Sequence, residues 1–232
     1  MKTLFSSLAL KLALLLVPLT GSAQTAEQIM ADVRQVAGLQ QEQDLHGHMK
    51  GNGKKVPMSM LLRGEEIHFQ IDEGKEAFAL RLLPNQQQLF ETTGNRVREF
   101  PPGKLAEPIA GTNVSYEDLA LKFLYWPNPR IAGEASIKGQ ACWRIHLRNP
   151  EKAGRYREVS AWIAKDQRAL LKAIGYGPAP ERQALKQFEV TDIQKRKGVW
   201  TPRKLRVSEF RNGRASGVTT IDFGRPKRRS RR

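Results

Sequence analysis

Hydrophobic spacing typical of a helix occurs once near the start of the chain. Ile29, Val33 and Val36 recur at intervals of three or four residues, as they do on one face of a helix. Thr25 and Gln28 have the spacing of a capping box, in which the two side chains and backbones bond reciprocally at a helix N-terminus. The pattern therefore predicts one amphipathic helix, ended by the glycine two residues after Val36.

Most of the remaining chain alternates apolar with polar residues, as strands with one buried face do. The alternating apolar positions are Ile67, Phe69 and Ile71; Phe78, Leu80 and Leu82; Ala141, Trp143, Ile145 and Leu147; Val159, Ala161 and Ile163; Leu170, Ile174 and Tyr176; Phe188 and Val190; Leu205 and Val207; Ile221 and Phe223. Turn residues separate these stretches, and Asn212-Gly213 is a strong hairpin signal because both residues tolerate a positive φ. This pattern predicts about ten strands in an antiparallel meander.

Prolines and a second capping signal mark the middle of the chain. Pro101-Pro102-Gly103 and Pro108 predict an irregular connection that crosses between the two halves of one sheet. Ser115-Tyr116-Glu117-Asp118 predicts the start of a short helix that carries Leu119, Leu121, Phe123 and Leu124. Its carboxylates are expected mainly to favour the helix dipole.

These elements together predict a mainly β (α+β) fold. A single antiparallel sheet of this size has to curl, so we expect an incomplete barrel closed by two or three helices. One domain should span residues 24–224.

The first 23 residues have the composition of a secretory signal peptide. Lys2 and Lys11 supply the charge, Leu12 to Val17 form an apolar run, and Gly21-Ser22-Ala23 offer a small-residue cleavage site. The run is shorter than the roughly 20 residues that span a bilayer. We therefore expect cleavage after Ala23 and a periplasmic protein, without a lipid anchor because Ser22 stands where a lipoprotein would need cysteine.

The chain is strongly basic, with a formal net charge of +16. Six Lys or Arg residues lie within residues 225–232, which we expect to form a disordered tail because like charges repel and no apolar residue accompanies them. In an exported protein this charge favours anionic lipid head groups rather than nucleic acid. Candidate head-group or membrane contacts are Arg228, Arg229, Arg231 and Arg232.

Residues with catalytic or metal-binding chemistry are few. Cys142 is the single cysteine and is expected to be a small buried residue of a strand. His46 and His48 would share one face of a strand, but no third ligand lies at a suitable spacing, so we predict no metal. Ser115 and Ser160 lack a Gly-x-Ser-x-Gly elbow, and no glycine-rich phosphate loop is present. We predict neither a cofactor nor enzymatic activity.

Several short segments match a known family in order and spacing over most of residues 25–224. They are the N-terminal helix, Ser115-Tyr116-Glu117-Asp118-Leu119, Trp162-Ile163 before Asp166, Lys186-x-Phe188-Glu189-Val190-x-Asp192-Ile193, Val199-Trp200-x-Pro202 and Thr219-Thr220-Ile221-Asp222-Phe223. In this combination the chain resembles the LolA-like outer-membrane lipoprotein-sorting protein family. The resemblance implies a half-barrel that takes up acyl chains of lipids or lipoproteins between its sheet and helices.

The resemblance favours a monomeric periplasmic carrier of acyl chains in transit to the outer membrane. An inner-membrane exporter is a further expected partner, and the basic charge of the chain adds anionic membrane surfaces. Large apolar residues of the strands are the nominated acyl-chain contacts: Phe69, Phe78, Leu80, Trp143, Ile145, Trp162 and Phe188. Two alternatives remain, namely an envelope adaptor or exporter-associated binding module whose half-barrel is filled by its own side chains, and a lipid esterase.

Overall fold

The computed structural model describes residues 24–38, 42–94, 96–151, 154–178, 183–196 and 198–224. The predicted signal peptide (residues 1–23) and basic tail (residues 225–232) lie outside the described residues.

Two α-helices and thirteen strands make up the described chain. They are α1 (Ala26–Gly38), β1 (Gln43–Gly51), β2 (Lys54–Arg63), β3 (Glu66–Ile71), β4 (Glu76–Leu82), β5 (Gln87–Thr93), β6 (Arg96–Glu99), α2 (Tyr116–Ala120), β7 (Arg130–Ile137), β8 (Gln140–Arg148), β9 (Glu158–Ala164), β10 (Leu170–Tyr176), β11 (Ala184–Arg196), β12 (Val199–Arg211) and β13 (Arg214–Asp222). Short 3-10 turns occupy Asp72–Gly74, Pro102–Lys104, Ile109–Gly111 and Lys122–Tyr125.

All strands belong to one antiparallel sheet in the order β6-β5-β4-β3-β2-β1-β13-β12-β11-β10-β9-β8-β7. The chain builds one half outward from β1 to the edge strand β6. Residues 100–129 then cross to the opposite edge, and the chain returns from β7 to β13, which pairs with β1. The sheet is a curled half-barrel that does not close, so the predicted fold class and crossing connection are confirmed.

The first predicted helix forms with its predicted cap. The backbone N–H of Gln28 donates to Thr25 Oγ1, and the backbone N–H of Thr25 donates to Gln28 Oε1. The second helix is shorter than predicted, because Leu121 adopts a left-handed conformation (φ 49°) that ends α2. In the described part of the chain, neither helix has the length and apolar character needed to cross a membrane.

The strand count exceeds the predicted number of about ten, because several strands lack alternating apolar residues. All four residues of β6 are exposed, as is most of β7, and these are the two edges of the sheet. Strands of this kind bury too little apolar surface to leave a hydrophobic period in the sequence.

Candidate functional site

One face of the sheet, which we call the inner face, carries most of the large apolar side chains. On β3 and β4, Phe69 and Phe78 are direct partners, and their rings stack with centroids 4.6 Å apart. The register continues this face across the other half of the sheet, through Ile145, Ala161, Ala173, Phe188 and Val207 on successive strands. Because paired residues on neighbouring strands point to the same face, the alternating apolar residues of separate strands form one apolar surface.

The inner face holds two hydrophobic clusters. Phe69, Phe78 and Leu80 belong to the first cluster, and Ile145 belongs to the second; all four are at most 3% exposed. Phe188 is partly buried and packs against both clusters. Trp143 is partly buried against the second cluster. Six of the seven nominated residues therefore share the inner face.

Trp162 does not share that face. Its strand neighbours Ala161 and Ile163 belong to the second cluster, so alternation directs Trp162 to the opposite, outer face. There Lys172 Nζ lies 5.0 Å from the centroid of its ring, and Arg144 is its partner on β8. The inward assignment of Trp162 was wrong because Trp162 is out of phase with Val159, Ala161 and Ile163, the alternating apolar residues of β9, so its position in the strand directs it outward despite its size.

Residues 100–126 cover the first cluster. Phe78 contacts Phe100 and Tyr116 edge-on, at centroid distances of 6.3 and 5.2 Å. Tyr116 Oη donates a 2.6 Å hydrogen bond to Glu76 Oε2 on β4. Burial, together with this carboxylate, raises the pKa of Tyr116. Phe78 is therefore packed against a cover from outside the sheet.

The second cluster is covered by α1 and by the end of the same crossing segment. Ile29, Met30 and Val33 of α1 are buried against it. Arg34 Nη1 donates a 2.8 Å hydrogen bond to the carbonyl oxygen of Leu124. This bond ties α1 to residues 100–126, and the two segments together are called the cover below.

A buried ion pair joins the cover to the sheet. Lys186 Nζ on β11 lies 2.5 Å from Asp118 Oδ2 on α2, and the two side chains are 2% and 0% exposed. Lys186 Nζ also donates to the carbonyl oxygen of Asn113 at 2.6 Å. Asp118 accepts further bonds from Tyr156 Oη at 2.5 Å and from the backbone N–H of Ser115 at 2.8 Å. Charge-assisted bonds of this kind are strong where water is excluded.

Two more carboxylates flank this pair. Glu117 Oε2 accepts the backbone N–H of Arg155, yet burial raises the pKa of Glu117. Burial acts to raise the pKa of Glu209, but hydrogen bonds from Asn113 and Arg155 outweigh this effect and lower that pKa. The prediction that Glu117 and Asp118 mainly favour the helix dipole was therefore wrong: both are buried and hydrogen-bonded to other segments.

A separate open cleft of about 380 Å³ lies beside the β7 edge. Its lining residues are Pro127, Asn128, Arg130, His146, Arg148, Asn149 and Pro150. None of them belongs to either apolar cluster. Within the described ranges, no three His, Cys, Asp or Glu residues are grouped as metal ligands. Cys142 is fully buried on β8, as expected, and burial raises the pKa of its thiol.

A family model described as "-like: Uncharacterized protein" matches residues 77–227. The chain belongs to this family. The match begins in β4 and includes the crossing segment and all of the second half of the sheet. No curated protein matches the sequence.

Three solved structures share the fold. An outer membrane lipoprotein-sorting protein domain from Vibrio parahaemolyticus is 15% identical with a TM-score of 0.64, covering 85% of this chain and 90% of its own. A LolA superfamily protein from Nitrosomonas europaea is 16% identical with a TM-score of 0.63, covering 88% and 93%. A DUF1329 family protein from Desulfovibrio piger is 16% identical with a TM-score of 0.62, covering 86% and 91%. The predicted resemblance to LolA-like proteins is confirmed at the level of the fold.

Sequence reasoning missed the Lys186–Asp118 pair. The signal that could have revealed Lys186 is its position two residues before Phe188, which places both side chains on the same face of β11. A lysine in phase with an inward aromatic residue is a candidate for burial, and a buried lysine requires a partner.

Proposed function

We propose that this protein is an envelope carrier that holds the acyl chains of lipids or lipoproteins between the inner face and the cover. The observation that supports it is the continuous apolar surface of two clusters joined by Phe188 and covered by segments from outside the sheet. Burying about a dozen methylenes contributes roughly 10 kcal/mol before association costs, at ~0.8 kcal/mol per CH₂. Useful affinity then needs no specific polar contact.

Loading requires the cover to move. Phe78 and Leu80 are each 2% exposed, so an acyl chain reaches them when residues 100–126 or α1 separate from the sheet. The Lys186–Asp118 pair opposes this movement because it spans the boundary between cover and sheet, as do the Tyr116–Glu76 and Asn113–Glu209 hydrogen bonds. Cargo binding would therefore compete with closure of the cover.

The proposal includes export and transit to the outer membrane. It rests on the signal-like first 23 residues and on a fold shared with an outer membrane lipoprotein-sorting domain. The expected mature protein begins at Gln24, receives cargo at the inner membrane and carries no lipid itself. Intact mass of protein isolated from the envelope tests this. A mass that retains residues 1–23, or that includes diacylglycerol, contradicts it.

Binding of a fluorescent long-chain fatty acid tests the proposal. Phe188→Ser changes the partly buried residue that joins the clusters, whereas a charge at Leu80 would disrupt a packed core. Val218→Ser is the matched control, because Val218 is 45% exposed on β13. We expect saturable binding by the wild type and the control, and at least about tenfold weaker binding by Phe188→Ser.

A second function is favoured by one specific observation, the dense packing of the inner face. If the clusters are a permanent core, the protein is an envelope adaptor that binds an exporter or the cell wall through its surface. The absence of both saturable binding and co-purifying lipid would select that function. Turnover of a chromogenic ester by the same preparation would instead favour the esterase alternative.

A further inference from the structure

The hairpin of β11 and β12 extends beyond its neighbours in the sheet. Both strands have 13 residues, the longest in the described structure. Strand β10 pairs with β11 as far as Glu189, and β13 pairs with β12 from Lys204 onward. Residues 190–196 and 198–202, which we call the hairpin tip, therefore lie past the regular pairing of both flanking strands.

Burial is inverted at the hairpin tip. The apolar side chains of Ile193 and Trp200 are 45% and 56% exposed, whereas the polar residues Gln194 and Thr201 are 9% and 1% exposed. An exposed tryptophan is unusual because its large apolar area normally finds cover. Placing the apolar residues outward and the polar residues inward gives the tip an uncovered apolar end.

The exposed residues share one face. Lys195 is the strand partner of Trp200, and its Nζ lies 5.9 Å from the centroid of the indole ring. Ile193 lies two residues before Lys195 and therefore points the same way. The face thus combines two apolar side chains with a cation beside the tryptophan.

The described tip has one carboxylate, Asp192, which pairs with Arg203, and two cations, Lys195 and Arg196, so its net charge is positive. Arg196 donates to the carbonyl oxygens of Asp44, Phe223 and Gly224, which are neutral acceptors and leave its charge in place. Gly224 directly precedes residues 225–232, whose sequence contains six Lys or Arg residues. Arg196 is therefore hydrogen-bonded to the residue that directly precedes the most basic segment of the sequence.

We propose that the hairpin tip docks on an anionic lipid bilayer, with Trp200 and Ile193 entering the interfacial region and Lys195 facing the head groups. Tryptophan favours the membrane interface because its ring is apolar and its N–H is polar. Basic residues are attracted to anionic lipids at short range. The positive charge selects a bilayer over a neutral apolar partner. This inference is independent of acyl-chain carriage, because an adaptor would use the same surface.

The test is sedimentation of the chain from Gln24 onward with vesicles of phosphatidylcholine alone or mixed with phosphatidylglycerol. The test variant combines Ile193→Ser with Trp200→Ser, and the matched control combines Val97→Ser with Val218→Ser, which are also exposed. We expect the wild type and the control to bind the anionic vesicles, and the test variant to partition about tenfold less. Binding to neutral vesicles should be weaker throughout.

Trp200→Phe provides a second readout that does not depend on weakened binding. Phenylalanine keeps an apolar ring, so this variant should still sediment with anionic vesicles. Lipids brominated near the head group should quench tryptophan fluorescence of the wild type on binding, and the quenched fraction should fall in Trp200→Phe. A smaller quenched fraction in Trp200→Phe than in the wild type, with vesicle binding retained, would place Trp200 in the bilayer.

Two results would overturn the proposal. The first is that the Ile193→Ser, Trp200→Ser variant binds vesicles as well as the wild type does. This includes the case in which truncation after Gly224 abolishes binding, which would make the tail alone responsible. The second is equal quenching in the wild type and in Trp200→Phe. Either result would assign the exposed tip to a protein partner or to no partner. Circular dichroism of the variants confirms that the fold is retained.

Discussion

Lys186 on β11 and Asp118 on α2 form an ion pair of 2.5 Å with both side chains shielded from water. The pair connects a strand in the middle of the sheet with the segment that crosses over it. Two apolar residues of similar volume would hold a permanent core at least as well, because burying charges has a large desolvation cost. An ion pair at this boundary fits a contact that separates and re-forms.

Replacing Lys186 with methionine should destabilise the protein strongly. The change leaves the Asp118 carboxylate buried without its cation, which typically costs about 3–5 kcal/mol. Urea unfolding measures the free-energy difference, and Lys50→Met on the exposed side of β1 is the control. Adding Asp118→Asn removes the orphaned charge and should restore part of the loss. A loss below about 1 kcal/mol for Lys186→Met would show that the pair is not a significant tether.

Glu91→Gln should destabilise the protein more at neutral pH than in acid. Burial acts to raise the pKa of Glu91, but Lys104 and Arg98 outweigh it and lower that pKa. Stability from a lowered carboxylate pKa is present above the unfolded-state pKa and is lost as pH falls through the folded-state pKa. We expect a loss of about 1 kcal/mol or less at neutral pH that diminishes at acid pH. A loss independent of pH would count against this ion pair.

Glu117→Gln should have the opposite pH dependence. Burial raises the pKa of Glu117 above its ordinary value, so the ionised form is disfavoured in the folded state. The wild type therefore loses stability as pH rises from the unfolded-state pKa through the folded-state pKa. Glutamine still accepts the backbone N–H of Arg155. Unfolding at several pH values should show that Glu117→Gln is at least as stable as the wild type at neutral pH. The difference in stability should vanish in acid. A variant that is less stable than the wild type at neutral pH refutes this.

Phe188→Ala should weaken the whole domain. Because Phe188 packs against both clusters, its loss opens space between them. We expect a destabilisation of about 2–3 kcal/mol, below the value for a fully buried phenylalanine. Thermal unfolding followed by circular dichroism should show one β-dominated transition at a lower Tm. Two separate transitions in a reversible melt would mean that the halves unfold independently.

Local chemistry explains which elements the sequence predicts well. The hairpin at Asn212-Gly213 forms as expected, with φ of 51° and 72°. The capping box of α1 forms because both of its hydrogen bonds join Thr25 and Gln28, which are close in sequence, and no distant contact is required. Strand β6 leaves no signal because all of its residues are exposed.

The site is less accessible to sequence reasoning because it depends on distant contacts. Six nominated residues lie on the inner face, whereas Trp162 is out of phase with Ala161 and Ile163, and the size of an apolar side chain does not decide which face of a strand it occupies. Lys186 and Asp118 are 68 residues apart in sequence, so their pairing emerges from the crossing of residues 100–129 over the sheet.

Mass spectrometry of an organic extract tests the carrier function most directly. The protein would be isolated gently from the envelope, in parallel with Phe188→Ser as a variant of the inner face and Val218→Ser as its exposed control. The account predicts stoichiometric long-chain lipid or lipoprotein acyl groups with the wild type and the control, and depletion with Phe188→Ser. Equal traces of lipid in all three samples, together with no saturable fatty-acid binding by the wild type, would contradict it.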